Sequence, residues 1–443
     1  MGPARPDRRR RRVDSGVLAE PEYRKLFVGQ AVSVVGTIFT TVALPFAVLD
    51  LGGSATDIGL VAAANLVPLL VFLLVGGVWA DRLPRQRVML VADLCRAALQ
   101  VVAAALLVTG VAHIWHLALL QIALGTCEAF FRPAFTGLVP QTVSPERLQQ
   151  ANGLLSVVNN VALTAGAALG GVLVAAVGAG WAIGLDGITF VVSAAFLWRL
   201  RPRPAAAAAS AGSSFARDLA AGWREFVSHT WLWAMVAGAS AFLFFIDAPA
   251  SVLGPVVAKA SYNGPSTFGF IMAAMGLGQV TGSVTAMRWR PARPLLIVAA
   301  GMSLAAIPLA LLAVRAPVTS LLVAFAVMGV EWGLFDTFWV TSVQQHVAPE
   351  ALSRVSSYDY VGSLAFFPAG LVLAGPLSRL LGVSGVLWLG AAMAVVISVA
   401  QLLVRDVRRL TWREQGSASG PGPGAGSGPR PERSVSANDR DGD

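Results

Sequence analysis

The chain has 443 residues, of which 56% are hydrophobic and 13% charged, and a mean hydropathy of +0.67, so it has too few charges to cover the surface of a water-soluble protein. Its formal net charge of +9 would suit nucleic acid, but the basic residues are dispersed among the ends of apolar runs, which argues against a nucleic-acid partner. Cys95 and Cys127 both lie inside apolar runs and give neither a disulfide framework nor a zinc site.

Residues 1–22 form a basic tail that includes Arg8 to Arg12. Apolar runs long enough to cross about 30 Å of hydrocarbon follow near 26–50, 57–80, 88–110, 115–139, 152–178 and 181–200. The run from Leu26 to Leu49 is too long for a signal-peptide core and is expected to stay as the first helix. Residues 201–213 have the Pro, Ala, Gly and Ser content of a linker, and 214–228 predicts an amphipathic helix using Phe215, Leu219, Trp223 and Phe226. Six more runs lie near 230–257, 267–288, 294–314, 318–340, 355–378 and 384–404, and the Gly/Pro/Ser-rich tail is expected to be disordered from about Gly416.

Basic groups at Arg24/Lys25, Arg82/Arg85/Arg87, Arg199/Arg201/Arg203, Arg288/Arg290/Arg293 and Arg405/Arg408/Arg409 mark alternate ends of these runs, while 51–56, 110–116 and 178–180 carry no Lys or Arg. The positive-inside bias therefore predicts a multi-pass protein of about twelve helices with both termini cytoplasmic. At an offset of 204 positions, Gln141, Val143, Pro145, Glu146 and Leu148 match Gln345, Val347, Pro349, Glu350 and Leu352, and Gly166 and Gly171 match Gly370 and Gly375. The expected organisation is a six-helix bundle over 23–200, a linker over 201–228, a second bundle over 229–404 and a tail over 405–443. Parallel six-helix repeats of this kind are a transporter plan with the substrate between the halves.

On the fourth run Gln121, Gly125, Glu128 and Arg132 share one helical face. Glu128 lies near the bilayer midplane, where a carboxylate is a functional candidate by default; it is the leading proton carrier, with Arg132 one turn away. Asp247 is the alternative, deep in the seventh run with Ser240 and Ser251 on its face and Pro249 and Pro255 nearby. Asp336 stands at the repeat equivalent of Arg132 and is expected to meet it across the pseudo-twofold axis. Asp93 with Arg96 reads as a local ion pair. Asp186, a few residues from the outer end of its run, is expected to reach water. Gln30, Ser33 and Thr37, then Asn152, Ser156 and Asn159, then Ser356, Asp359 and Ser363 form polar stripes that fit a cavity lining, and Phe244, Phe245, Trp332, Phe335 and Trp339 could meet an apolar substrate. His113 and His116 have no acid or Cys beside them, so no metal site is expected. No phosphate-binding loop and no nucleophile, base and acid set is present, which argues against an enzyme.

The segment Gly77-Val78-Trp79-Ala80-Asp81-Arg82-Leu83-Pro84-Arg85-Gln86-Arg87 resembles the loop between the second and third helices of the major facilitator superfamily, with Pro84 where Gly is usual and Gln86 where a base is usual. The resemblance implies that Gly77 belongs to a gating-loop motif whose five-residue loop takes a tight turn that Pro84 can supply, that Asp81 faces the start of a second-half helix near Ser353, and that Arg82, Arg85 and Arg87 pair across the interface when that side is shut. Gly153, Ala162, Gly166, Ala167, Gly170 and Gly171 resemble the glycine motif of exporters in that superfamily, whose close helix contact is taken to seal the cytoplasmic-facing exit. Phe131-Arg132-Pro133-Ala134 and Pro145-Glu146-Arg147-Leu148-Gln149-Gln150-Ala151-Asn152 are similar to the drug/proton antiporter branch with macrolide-efflux and enterobactin-exporter proteins, although Gln121 stands where that branch usually has an Arg. The family likeness implies a monomeric, proton-gradient-driven exporter of amphipathic small molecules in a bacterial inner membrane, with no cofactor. An importer or facilitator of a small solute and a transport-inactive scaffold or sensor are the rivals.

Overall fold

The computed structural model describes residues 16–203 and 215–412, with side chains throughout these ranges except at 74–82, 215–221, 349, 350 and 353. The basic tail with Arg8 to Arg12, the linker residues 204–214 and the tail beyond 412 lie outside the described residues, as do the side chains of Asp81, Arg82, Phe215 and Leu219 and the surroundings of Gly77.

A bilayer offers no hydrogen bonds to an exposed main chain, so a spanning segment satisfies itself as a helix. Among the described residues there is no strand. The first half runs α1 (Pro21–Asp50), α2 (Ala55–Arg82), α3 (Arg85–Val108), α4 (Ile114–Thr142), α5 (Leu148–Val161), α6 (Ala167–Val177) and α7 (Ala179–Trp198), with α5 and α6 joined through a π-helical turn, Ala162–Gly166. After α8 (Phe215–Ser228) come α9 (Thr230–Phe242), a second π turn (Leu243–Asp247), α10 (Ala248–Ser261), α11 (Pro265–Arg288), α12 (Pro294–Gly301), α13 (Ala306–Ala313), α14 (Val318–His346), α15 (Pro349–Leu364), α16 (Phe367–Leu403) and α17 (Arg405–Arg409). Among the described residues eleven stretches are long and apolar enough to cross a membrane, and the last of them, Arg354–Leu403, turns back at Gly382, where φ is +74°. The described chain therefore makes twelve passes.

The 204-residue repeat is visible in the turns. Gly178 (φ +87°) and Gly382 (φ +74°) stand 204 positions apart and reverse the chain in a backbone conformation that an L side chain resists. Within the first half α2 packs on α4, and α3 and α1 pack on α7; in the second α11 packs on α14, and α10 and α13 pack on α16. Helix α8 is the amphipathic segment: Phe226 is buried, and Trp223 and Phe226 lie with ring centroids 5.4 and 6.0 Å from Tyr358 of α15.

The halves meet at the end that carries the turns at 51–54, 178, 262–264 and 382. There α6 packs on α11 and α2 on α16. A methyl group on Gly171 would stand 2.5 Å from the Pro265 carbonyl, and one on Gly269 2.5 Å from the Ala167 carbonyl, so only glycine permits this approach. Lys259 and Asp50 add an ion pair across the seam at 2.5 Å. Toward the opposite end, where the described residues begin at 16 and end at 412, the halves part: Asn152, Gly153 and Ser156 of α5 and Ser356, Ser357 and Tyr360 of α15 are exposed.

The termini end of the first half is clamped by Glu20. Its carboxylate accepts the Ser144 main-chain N–H (3.1 Å) and hydroxyl (2.7 Å) and pairs with Arg203 at 3.0 Å. Partial burial pushes its pKa up, but the Ser144 hydrogen bonds and the Arg203 charge outweigh that and hold it below the ordinary carboxylate range. A depressed folded-state pKa gives stability that is present above the unfolded value, near 4.3, and is lost as pH falls through the folded value. Glu20→Gln is therefore expected to lower the melting temperature at pH 7, with wild type and variant converging below about pH 4; a constant gap across this range would remove the carboxylate's role.

Candidate functional site

Between the halves lies a cavity of about 810 Å³. Its polar wall belongs to the first half: Gln30, Ser33, Thr37, Thr40 and Thr41 of α1, Asn65 of α2, Arg96 and Gln100 of α3, Gln121, Glu128 and Arg132 of α4, Asn159 of α5 and Asp186 of α7. The second half supplies Val252, Phe268, Met272 and Leu371, with Ser251 as its polar contribution. All four charged side chains in the lining thus stand on one wall, and the facing wall is apolar. Such a space fits a molecule with one polar and one apolar face.

Of the residues expected from sequence, Gln30, Ser33, Thr37, Gln121, Asn159, Glu128 and Arg132 line this cavity together. Arg132 donates to Glu128 Oε1 from Nε (2.8 Å) and Nη2 (2.5 Å), and its Nη1 donates to the Tyr360 hydroxyl at 3.4 Å. The side chains are 49% and 28% exposed, and an i,i+4 pair open to water to this degree contributes about 1 kcal/mol or less. It opens readily when a proton or a polar ligand competes. Gln121 Oε1 accepts the Asn65 side-chain amide at 3.1 Å, holding α2 to α4 at the same depth.

Asp336, Asp247, Trp332 and Asp359 are not in that lining. Arg132 meets Glu128 and Tyr360 and not Asp336, which is exposed on α14. The expected pairing across the axis is therefore absent from this conformation. Asp247 ends the second π turn, whose extra residue rotates the following α10 against α9. Ser251 consequently reaches the cavity while Ser240 is buried without a hydrogen-bond partner. Helix α10 continues through Pro249 and Pro255; the expected loosening at the prolines is taken up by the π turn before them. Trp332 packs edge-on against Phe242 and Phe335, and Asp359 accepts the Trp339 indole N–H at 2.9 Å. Aromatic packing draws both into the second half's own core.

The glycine motif divides by partner. Gly166 faces Ile38 and Gly170 faces Phe39 of α1, while Gly171 meets α11; Gly153 has nothing near it. The close helix contact therefore closes the end away from the termini, not the termini side expected from sequence, because α6 and not α5 carries it. In the loop resembling the family signature, only Leu83 and Pro84 separate α2 from α3, a tighter connection than the gap between the predicted runs 57–80 and 88–110. Arg85 donates to the Gly137 carbonyl of α4 at 2.7 Å, so it braces its own half, and Arg87 is exposed.

Asp93 and Arg96 form the expected pair. Arg96 lies over the rings of Phe131 and Phe190 at 4.0 and 4.4 Å, a cation–π sandwich, and Asp93 accepts the Ser193 hydroxyl at 2.7 Å. Asp186 corrects an expectation: it is 1% exposed, not open to outer water, because α1 and α3 cover it. Arg96, Gln100 and Asn65 were missed as cavity residues; the spacing of Asp93, Arg96 and Gln100 on one face of α3 was the available signal.

The profile of the Major Facilitator Superfamily matches residues 26–363. Among curated relatives, a multidrug efflux pump, Tap, of Mycolicibacterium fortuitum is 27% identical over 395 residues, covering 85% of this chain and 93% of that protein. Macrolide efflux protein A of Streptococcus pyogenes is 22% identical, covering 88% and 97%. Similar solved structures include a bacterial homologue of the human lysosomal transporter Spinster in an inward-facing, unoccupied conformation (TM-score 0.66, 16% identity, covering 89% of this chain and 99% of that one). The nucleoside transporter NupG is also similar (TM-score 0.65, 14% identity, covering 86% and 98%).

Proposed function

We propose that this chain, which belongs to the major facilitator superfamily and is similar to drug-efflux proteins, exports amphipathic small molecules across a bacterial inner membrane in exchange for protons. The observation that carries this is the two-faced cavity, shut at the end of the 51–54 turn and open toward the termini. With the termini cytoplasmic, as the Arg distribution supports, this is a state that loads substrate from inside. Closure of the termini end and parting of the seam at Gly171 and Gly269 would then present the same cavity outside. The Glu128–Arg132 pair is proposed as the element that senses proton and substrate: protonating Glu128 removes its charge and frees Arg132. The protein works as a monomer in lipid, with the proton gradient as its energy source and no cofactor or nucleic acid.

Everted vesicles given an acidic interior are expected to concentrate a lipophilic fluorescent dye, and a protonophore should abolish the accumulation. In intact cells an impermeant maleimide should label Val111→Cys and spare Leu83→Cys in a background lacking Cys95 and Cys127; both positions are exposed and lie at opposite ends. Gradient-driven uptake by right-side-out vesicles would make the protein an importer, and binding without movement in either direction would make it a scaffold or sensor.

A further inference from the structure

Asp186 lies seven residues into α7, roughly 10 Å from the start of that helix at 1.5 Å per residue, at the closed end of the cavity, and is 1% exposed while still lining it. Its oxygens are treated unequally. Oδ2 accepts the Thr40 hydroxyl at 2.7 Å and the Gln100 amide at 2.6 Å. The second amide proton of Gln100 goes to Thr40 Oγ1 at 3.2 Å, so every donor on that side is used. On the other side stands only Thr189, whose Oγ1 is 2.7 Å from the Asp186 main-chain carbonyl and 3.2 Å from Oδ1. A hydroxyl has one proton, and the shorter contact, to the carbonyl, takes it. Thr189 then turns a lone pair toward Oδ1. Two oxygens facing each other with no proton between them repel, and a proton on Oδ1 would turn the contact into a hydrogen bond donated to Thr189. Gly36 of α1 stands beside Oδ1, where a methyl would be 2.6 Å away, so the glycine leaves room for a proton on that oxygen.

Among the described residues no cation forms an ion pair with this carboxylate, the nearest, Arg96, being held by Asp93. Of the elements packed against α7, α1 and α6 present no ionisable group to it; α3 presents Asp93 and Arg96, which are bound to each other. Across the cavity α4 presents Glu128 and Arg132, likewise paired. A carboxylate at this depth without an ion-pair partner of its own is expensive, and although Thr40 and Gln100 serve Oδ2, the Thr189 side suits a proton on Oδ1.

We propose that Asp186 is a second proton-binding site of the transport cycle, receiving its proton on Oδ1 and holding it against the Thr189 hydroxyl, with Thr40 and Gln100 as positioning residues. This rests on the proton-driven export proposed above. The step balances simply: one proton passes from cavity water to the carboxylate, whose charge goes from −1 to 0, and returns to water when access changes; no bond to carbon and no electron is moved. Glu128, at mid-depth in an open ion pair, and Asp186, at the blind end, would then take protons in different surroundings of one cavity.

Protonation is read on unenergised, purified protein in lipid nanodiscs, so failure here is separable from failure of export. Dicyclohexylcarbodiimide, which attacks protonated carboxyl groups in apolar surroundings, is expected to modify Asp186 near neutral pH, with loss of labelling as pH rises, located by mass spectrometry of the wild-type protein. In infrared spectra Asp186→Asn should remove a protonated-carboxyl carbonyl band that persists in Glu128→Gln. Thr189→Val should move that band to higher frequency without removing it, which a merely structural threonine would not do. Wild type left unlabelled at Asp186 at every pH overturns the proposal even if Asp186→Asn fails to fold, and so does a carboxyl band unaffected by Asp186→Asn.

Discussion

Gly269→Val is expected to bind substrate and fail to transport it. The β carbon alone would stand 2.5 Å from the Ala167 carbonyl and 2.9 Å from the Gly171 α carbon, and the atoms it meets are main chain, which cannot turn aside as a side chain can. Helix α11 must therefore withdraw from α6, and the closed end gives way. Overpacking of this kind typically costs about 1–3 kcal/mol, which converts to an equilibrium shift of about 5- to 150-fold away from the conformation described here. Spin labels at Val111 and Val314, exposed on turns of different halves, should report longer distances, and dye accumulation should fall by a comparable factor. Gly153→Val is the informative contrast, because nothing surrounds Gly153: it should leave these distances unchanged, and any transport it loses reports packing in the opposite conformation. Unaltered distances in Gly269→Val would mean that the glycine seam does not hold the closed end.

Glu128→Gln is expected to reduce gradient-driven accumulation to the level of vesicles without the protein while substrate binding changes by no more than about fivefold, since an exposed pair contributes about 1 kcal/mol or less. The amide fixes the uncharged form, so Arg132 no longer has a partner that appears and disappears with the proton, and the cycle loses its link to the gradient. Downhill exchange should survive. Asp247→Asn, measured under the same gradient, tests the rival acid, which lies outside the cavity lining. Full accumulation by Glu128→Gln would sink the assignment, and a selective loss in Asp247→Asn would move the role to the π turn of the second half.

The passes were legible because a run of some twenty apolar residues in a helix has few other uses. The repeat was legible between 141–171 and 345–375, and the structure extends it to the turns at Gly178 and Gly382. Helices extend past the predicted runs, α1 back to Pro21 and α4 on to Thr142, since hydropathy marks the hydrocarbon and not the end of the hydrogen-bonded ladder. The polar wall followed from period alone: Glu128 and Arg132, and Gln30, Ser33 and Thr37, each share a face. What period cannot give is which neighbour covers a residue. Asp186 was judged by its distance along one helix, yet its environment is set by Thr40 and Gln100 from two others. Trp332 was judged by residue type and Asp359 by the polar stripe it shares with Ser356 and Ser363, whereas Phe242, Phe335 and Trp339 decide where they point.

The Glu20 clamp also bears on how the protein is made. Glu20 with Ser144 and Arg203, the Tyr23 hydroxyl on the Ala151 carbonyl, and Lys25 on the Arg199 carbonyl all join the beginning of the first half to its end. Every partner has been synthesised once the ribosome passes residue 203, and at 5–20 residues per second the stretch from 204 to 412, which completes the second half, takes roughly 10 to 40 seconds. During that interval the first half stands in the bilayer with its fasteners complete and its polar wall, Glu128 and Arg132 included, turned toward lipid where the apolar wall has yet to arrive. The in-helix pairing of these two charges then serves biogenesis too: it lets a half-made protein wait in the membrane without an isolated charge.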